Sequence, residues 1–338
     1  MITLTLRHGV RLVAATAIAT ACLTSCIDED LTQCGKNYTV DYTVRQLTDV
    51  PAILQRQLTT PAEQQLSAQL LAPLNRVFAS TAADLDLSFF DSATGNVVQH
   101  EQHDINASHA QYTLYLKKLD YRNLALANAA AEPFVAVDGA ASSSTLTLSQ
   151  TPSDTIDTHT HPLFTSRLDM AIADQSQSYQ SYHADLYMQN CASCLVLDPG
   201  TNVVQSLSGY VDDMATEFSV SDSTYHFARH TVVRSTPVSA GGQYALYAAS
   251  MPSPMAAQTY TSADGISQTA TWRIGIVVRM ADRYTKTTLY VQEPLRAGEL
   301  RIIKCKINNR GEVVPNLHNV GASVELDWKP GGDHNIDI

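Results

Sequence analysis

"DLDLSFFDSATGNVV" (residues 84–98) sets the pattern of the chain. Leu85, Leu87 and Phe89 alternate with polar residues, the run breaks at Asp91-Ser92-Ala93-Thr94-Gly95-Asn96, and apolar residues resume at Val97. Alternation with period two reads as a half-buried strand, and a break rich in Asp, Gly and Asn reads as a turn between strands. The same signal recurs on both sides. "NYTVDYTV" (37–44) puts Tyr38, Val40, Tyr42 and Val44 on one face, and "YTLYL" (112–116) and "YRNLALAN" (121–128) follow as strands. Farther on, "SYHADLYM" (181–188), "SCLVLD" (193–198), "YALYAAS" (244–250), "WRIGIVVRM" (272–280) and "TTLYVQ" (287–292) repeat it. In "WRIGIVVRM" the inward set is Trp272, Ile274, Ile276, Val278 and Met280. "RIIKCKINNRGEVV" (301–314) reads as a hairpin closed at Asn309-Arg310-Gly311, where glycine supplies the positive φ that many hairpin turns need.

One helix interrupts the strands. Thr60 and Glu63 have capping-box spacing, Pro61 suits the first helical position, and Leu66, Leu70, Leu74, Val77 and Phe78 recur at helical spacing. Pro73 is expected to kink or split it. Residues 139–161, "GAASSSTLTLSQTPSDTIDTHTH", are polar and poor in large apolar groups. That stretch predicts a division into an N-terminal β-sandwich domain over 37–158 and a C-terminal one over 159–338. The fold class expected is mainly β, two tandem packed-sheet domains, mostly antiparallel, with a short helix in the first.

The N-terminus has the layout of a secretory signal. Arg7 and Arg11 precede the apolar core "LVAATAIATA" (12–21), which is shorter than the roughly 20 residues a membrane span needs. Leu23-Thr24-Ser25-Cys26 resembles the bacterial lipobox, in which the signal, here 1–25, is cut before a cysteine that becomes acylated. Cys26 is therefore the expected lipidation site, with 26–36 as a tether. Asp28, Glu29 and Asp30 resemble the export tag of surface-exposed lipoproteins of the Bacteroidetes. Lipid attachment to the outer membrane is the expected location, and two or more acyl chains are needed to hold a protein stably.

Charge narrows the partners. Lys and Arg number 22 against 33 Asp and Glu, for a net charge of −11, and no basic run appears. Nucleic acid is excluded as a partner, because phosphates call for Lys/Arg clusters.

Three motifs suggest chemistry and fall short of it. His159 and His161 in "DTHTHP" have the His-x-His spacing of a metal pair, but they lie beside a proline in a stretch without alternating β/α pattern, and a catalytic zinc usually takes three protein ligands. Cys191 and Cys194 in "CASC" lead into a strand and not into a helix N-terminus. They could form a structural disulfide or stay as buried thiols. His226 and His230 stand four apart in a segment that alternates like a strand, which separates them by about 13 Å. No catalytic, metal or cofactor site is expected.

The C-terminal stretch "PLRAGELRIIKCKINNRGEVVPNLHNVGASVELDWKPGGDHNIDI" (294–338) resembles the end of the fimbrial anchor lipoproteins of Bacteroidales, the FimB-type family. "DLSFFDSATGNVV", "SGYVDDMATEFSVSD" and "WRIGIVVRMADRYTKTTLYVQEPL" match as well, as does Cys26 with "EDLTQC". "KKLDYRNLALAN" departs from the family, which has a Pro-Gly turn there, and the cysteine pair is not one of its marks. The resemblance implies two transthyretin-like β-sandwiches and a non-catalytic outer-membrane lipoprotein that anchors a fimbrium, or pilus, shaft to the cell surface and limits its length. Its partners would be fimbrial shaft subunits and, through the N-terminal lipid, the outer membrane. Two other readings share these features. A polymerising fimbrial subunit would lose its first strand by a cut after an arginine, for which Arg45 is placed. A surface glycan-binding lipoprotein would need an aromatic platform, and the chain holds two tryptophans. Trp328, alternating with Val324 and Leu326, is expected in the core of the second sandwich.

Overall fold

The computed structural model describes residues 35–45, 48–133, 135–138, 147–150, 155–172, 180–227, 231–261, 265, 267–316 and 322–327. Cys26, Asp28, Glu29 and Asp30, together with Trp328 and His230, lie outside the described residues. In chain order the elements begin with β1 (Lys36–Arg45), helices α1 (Val50–Gln57) and α2 (Pro61–Val77), β2 (Ala82–Asp91), β3 (Val97–Ala107), β4 (His109–Leu116) and β5 (Tyr121–Ala127). The middle of the chain forms β6 (Val135–Asp138), β7 (Thr147–Gln150), β8 (Thr155–Asp157), β9 (Phe164–Met170), β10 (Gln180–Met188) and β11 (Cys191–Asp198). Next come β12 (Ser206–Asp212), β13 (Glu217–Ser219), β14 (Thr224–His226), β15 (Val232–Arg234), β16 (Thr236–Ala240) and β17 (Gln243–Ser250). The last are β18 (Gln258–Thr261), β19 (Ser267–Ala270), β20 (Trp272–Arg279), β21 (Tyr284–Val291), β22 (Leu300–Ile307), β23 (Val313–Pro315) and β24 (Ala322–Asp327). The fold is mainly β, as expected.

Strands β3-β2-β5-β9-β10-β1-β4 form the first sheet in that order. β9 and β10 pair at Tyr187↔Thr165 and Met188↔Phe164 alone, so the sheet folds over there and its halves face each other. Contacts across the gap establish this. Tyr42 of β1 donates its hydroxyl to Asn123 of β5, and the His103 ring of β3 stacks on Tyr112 of β4 with centroids 4.1 Å apart. The alternating residues Tyr38, Val40 and Tyr42 meet Leu85, Leu87 and Phe89 of β2 inside this first sandwich.

In the second sandwich, β16-β17-β11-β22-β23 packs on β24-β21-β20-β12-β15-β8. Trp272, Ile274, Ile276, Val278 and Met280 all face inward and are buried, as the alternation predicted. Each large apolar side chain so buried contributes about 1.5–3 kcal/mol. β11 is buried on both faces. Cys191, Leu195 and Leu197 enter the second core, while Ala192, Cys194 and Val196 face the first.

The helices fill the space between the sandwiches, with Val50 and Leu54 of α1 and Leu66, Leu70, Leu74 and Val77 of α2 in the same core as β11. The capping box forms as predicted. Glu63 N–H donates to Thr60 Oγ1 at 3.3 Å, and Thr60 N–H donates to Glu63 Oε2 at 2.9 Å. Two points differ from the sequence reading. α2 is not split at Pro73: the interior-proline penalty of about 3 kcal/mol is offset by burial of Leu70, Leu74 and Val77 around it. A second helix, α1, precedes it, started by Asp49, whose side chain accepts the Ala52 N–H at 3.0 Å.

The boundary expected at 158/159 does not divide the sheets. β9 and β10, both beyond it, belong to the first sandwich. β8 leaves the first half to pair in parallel with β15, and it buries Ile156 in the second core. In the other direction, β13 pairs with β7 in a small sheet of order β14-β13-β7-β6, and Phe218 packs over Phe90, Leu124 and Leu126 of the first sheet. The halves exchange strands because the polar stretch between them contains the short pairing segments β7 and β8.

Candidate functional site: the first strand and its neighbours

β1 lies inside its sheet, parallel to β10 on one side and antiparallel to β4 on the other. Both ladders run most of its length, so its backbone groups are engaged from both sides. The inward face is anchored by Tyr42, fully buried, whose hydroxyl donates to Asn123 Oδ1 at 2.8 Å. Asn123 Nδ2 in turn donates to the Ser88 carbonyl at 3.2 Å. Burial pushes the Tyr42 hydroxyl well above its ordinary range, so it stays a neutral donor.

The outward face carries a chain of charges that crosses three strands. His109 of β4 pairs with Asp41 of β1. Asp41 Oδ2 also meets His183 Nδ1 of β10 at 3.2 Å, and His183 Nε2 meets Asp185 Oδ1 at 2.8 Å. Asp185 Oδ1 then accepts from Arg45 Nε at 2.8 Å. Hydrogen bonds to Asp185 and Asp41 raise the His183 pKa above its ordinary value. For Asp185, burial raises the pKa, but the bonds from Arg45 and His183 outweigh it and leave the carboxyl below its usual range. Arg45 ends the strand opposite Tyr187, with its side chain half exposed. The spacing in sequence could not reveal this cluster, because its members run from Asp41 to Asp185 and only the parallel β1–β10 register joins them.

His159 is fully buried, and burial pushes its imidazole down to about 4. Its Nδ1 lies 3.0 Å from Asn190 Nδ2. Asn190 Oδ1 accepts the Leu163 N–H, so the amide is oriented and His159 Nδ1 is the acceptor of a neutral ring. His161 follows Thr160, and both backbone N–H groups donate to Glu132 Oε2, at 3.2 Å and 2.8 Å. These contacts fold a loop. Among the described residues no group of three His, Cys, Asp or Glu is arranged to hold a metal.

The disulfide considered for Cys191 and Cys194 is corrected. Both are free, buried thiols of one strand, and they point into different cores. Residues three apart on a strand have Cα atoms about 10 Å apart, beyond the 7 Å limit for a bridge. Burial pushes the Cys194 thiol up to about 12. No described helix is long and apolar enough to cross a membrane.

Among solved structures, the fold is similar to that of a candidate adhesin from Bacteroides thetaiotaomicron, at 14% identity and a TM-score of 0.51, over 84% of this chain and 95% of that one. The fimbrial anchor protein Mfa2 from Porphyromonas gingivalis aligns at 11% identity and a TM-score of 0.46, covering 72% of this chain and 78% of that one. A fimbrial assembly protein from Parabacteroides distasonis aligns at 13% identity and a TM-score of 0.42, covering 87% and 100%. No curated protein matches the chain. The family model for the fimbrillin-A associated anchor proteins Mfa1 and Mfa2 matches residues 74–289, well over half of the sequence. The chain belongs to that fimbrial anchor family.

Proposed function

We propose that this protein is the lipid-held base of a fimbrium: a non-catalytic outer-membrane lipoprotein, acylated at Cys26, that attaches shaft subunits to the cell surface and limits the length of the shaft. Family membership carries the reading. The lipobox at Leu23-Thr24-Ser25-Cys26 and the acids Asp28, Glu29 and Asp30 support the membrane attachment. The paired position of β1 supports the terminating role. A strand retained in its own sheet leaves no groove there for a neighbour's strand, since strand addition needs unpaired main-chain groups.

Three measurements test the proposal. Cys26→Ser should move the protein out of the outer-membrane fraction. An arginine-specific protease should cut the native chain at Arg45 only slowly. A deletion strain should make longer fimbriae that are easily shed. Efficient native cleavage at Arg45 with unchanged fimbrial length would assign the chain to the polymerising subunits instead.

A further inference from the structure

A groove of about 560 Å³ opens where the free edge of β6 overhangs the outer face of β2 and β3. Asp84, Asp86 and Asp104 line one side, and Leu126, Val135 and Val137 line the other. Asp84 and Asp104 are direct cross-strand partners, an arrangement of like charges that a sheet disfavours. No lysine or arginine is among the residues lining the groove. Asp84 accepts the Asn128 N–H at 2.8 Å, and Asp86 is met by His100 Nε2 and Gln102 Nε2 at 2.9 and 2.8 Å. Burial, followed by the charges of Asp86 and Asp104, raises the Asp84 pKa. Among the described residues β6 pairs on one side only, with β7, and Val137 stands 37% exposed.

We infer that this groove is a docking site for an extended basic segment of a partner protein, which adds to the edge of β6 as a further strand and sets lysine or arginine side chains over Asp84, Asp86 and Asp104. The Val135 N–H of β6 is taken by the Glu132 carbonyl at 3.1 Å, and beyond it, from Ala136 to Asp138, no strand among the described residues pairs with this edge, which is the feature that strand addition uses. An added strand presents alternate side chains to one face every 6.5–7 Å or so, which suits acids two residues apart on β2. The aliphatic stems of lysine or arginine can cover Val137 and Leu126 while their charged ends meet the carboxylates. Charge complementarity selects the occupant: the protein is acidic overall, and the groove sets three aspartates together with no lysine or arginine among its lining residues. The inference stands on this groove alone and does not depend on membrane attachment or on the role of β1.

The test uses the full chain in detergent and a fluorescein-labelled octapeptide, Lys-Thr-Lys-Val-Lys-Thr-Lys-Val, with an otherwise identical peptide carrying glutamate for lysine. The lysine peptide is expected to bind in the micromolar range by anisotropy, and to weaken as NaCl rises from about 0.05 to 0.5 M. Asp84→Asn with Asp104→Asn should weaken it at least about tenfold, whereas Asp282→Asn, an exposed residue outside the groove lining, should not. Circular dichroism of the double variant should show the native fold, since the change removes like-charge opposition. Hydrogen exchange on the unmutated protein gives an independent readout, in which bound peptide slows exchange at Val135–Asp138. Equal binding of the glutamate peptide, an unaffected double variant, or protection elsewhere would overturn the inference. So would Ca²⁺ binding at the three aspartates with no binding of the lysine peptide.

Discussion

Lys304 Nζ of β22 lies 2.6 Å from Glu63 Oε1 at the start of α2, and this ion pair ties the second sandwich to the helices that pack on the first. Both side chains are largely shielded from water. Burial raises the Glu63 pKa, but the bonds from Lys304 and Thr60 outweigh it and leave the carboxyl below its ordinary 4.5. A depressed carboxyl stabilises the fold above its unfolded pKa, and the contribution is lost as pH falls through the folded value. Lys304→Met should cost about 1–3 kcal/mol near neutral pH and shift the acid-induced loss of stability toward higher pH. Urea denaturation across pH 3–7 or so reads both effects.

Tyr42→Phe removes the hydroxyl that satisfies Asn123 Oδ1 inside the first sandwich. A buried acceptor left without its donor costs about 1–3 kcal/mol. Equilibrium denaturation should show that loss, with little change in the denaturant dependence.

His183 predicts a pH response of the first strand. Its folded pKa is raised above the ordinary 6.5 by Asp185 and Asp41, so its stabilising effect is complete below 6.5 and is lost as pH rises through the higher folded value. Slow cleavage of the native chain at Arg45 should therefore increase on the alkaline side of neutrality. His183→Asn should remove that dependence while Tyr42 and its buried contacts hold the strand. Timed digestion with mass analysis of fragments measures it.

Cys191, Cys194 and Cys305 should resist a thiol reagent in the native protein and react once it is denatured, because all three are buried and burial raises their pKa values. Mapping the labelled peptides by mass locates each thiol. Native labelling at Cys194 would mean that the helices do not cover β11.

Trp272→Ala should cost about 3–5 kcal/mol. The indole is fully buried in the second core, and its Nε1 donates to the Glu293 carbonyl at 2.9 Å. Thermal unfolding is the direct measurement.

The strands were legible wherever alternation ran for five residues or more. Tyr38 to Val44 and Trp272 to Val278 fall on the faces their spacing predicts. What the sequence concealed lies in short or distant features. β8 and β13 hold three residues each, too few to display a period, and their partners are set by tertiary contacts. α1 has eight residues, and its signal was the cap at Asp49 and not a long apolar stripe. Glycine shows the same limit at Gly275, where an added Cβ would come within 2.1 Å of the Tyr210 ring. Nothing around position 275 in the sequence announces that the ring of the neighbouring strand lies against the backbone there.

The exchange of β8 and β13 makes the junction a dovetail. Two beads on a string can swing apart by bending the string, but here parting the halves means extracting β8 from beside β15 and β13 from beside β7 in the same event. The Arg234–Asp157 contact at 2.6 Å adds a clasp beside the first of these joints. Tension applied across the molecule would therefore be shared by two sheets at once, at the β8–β15 and β13–β7 joints.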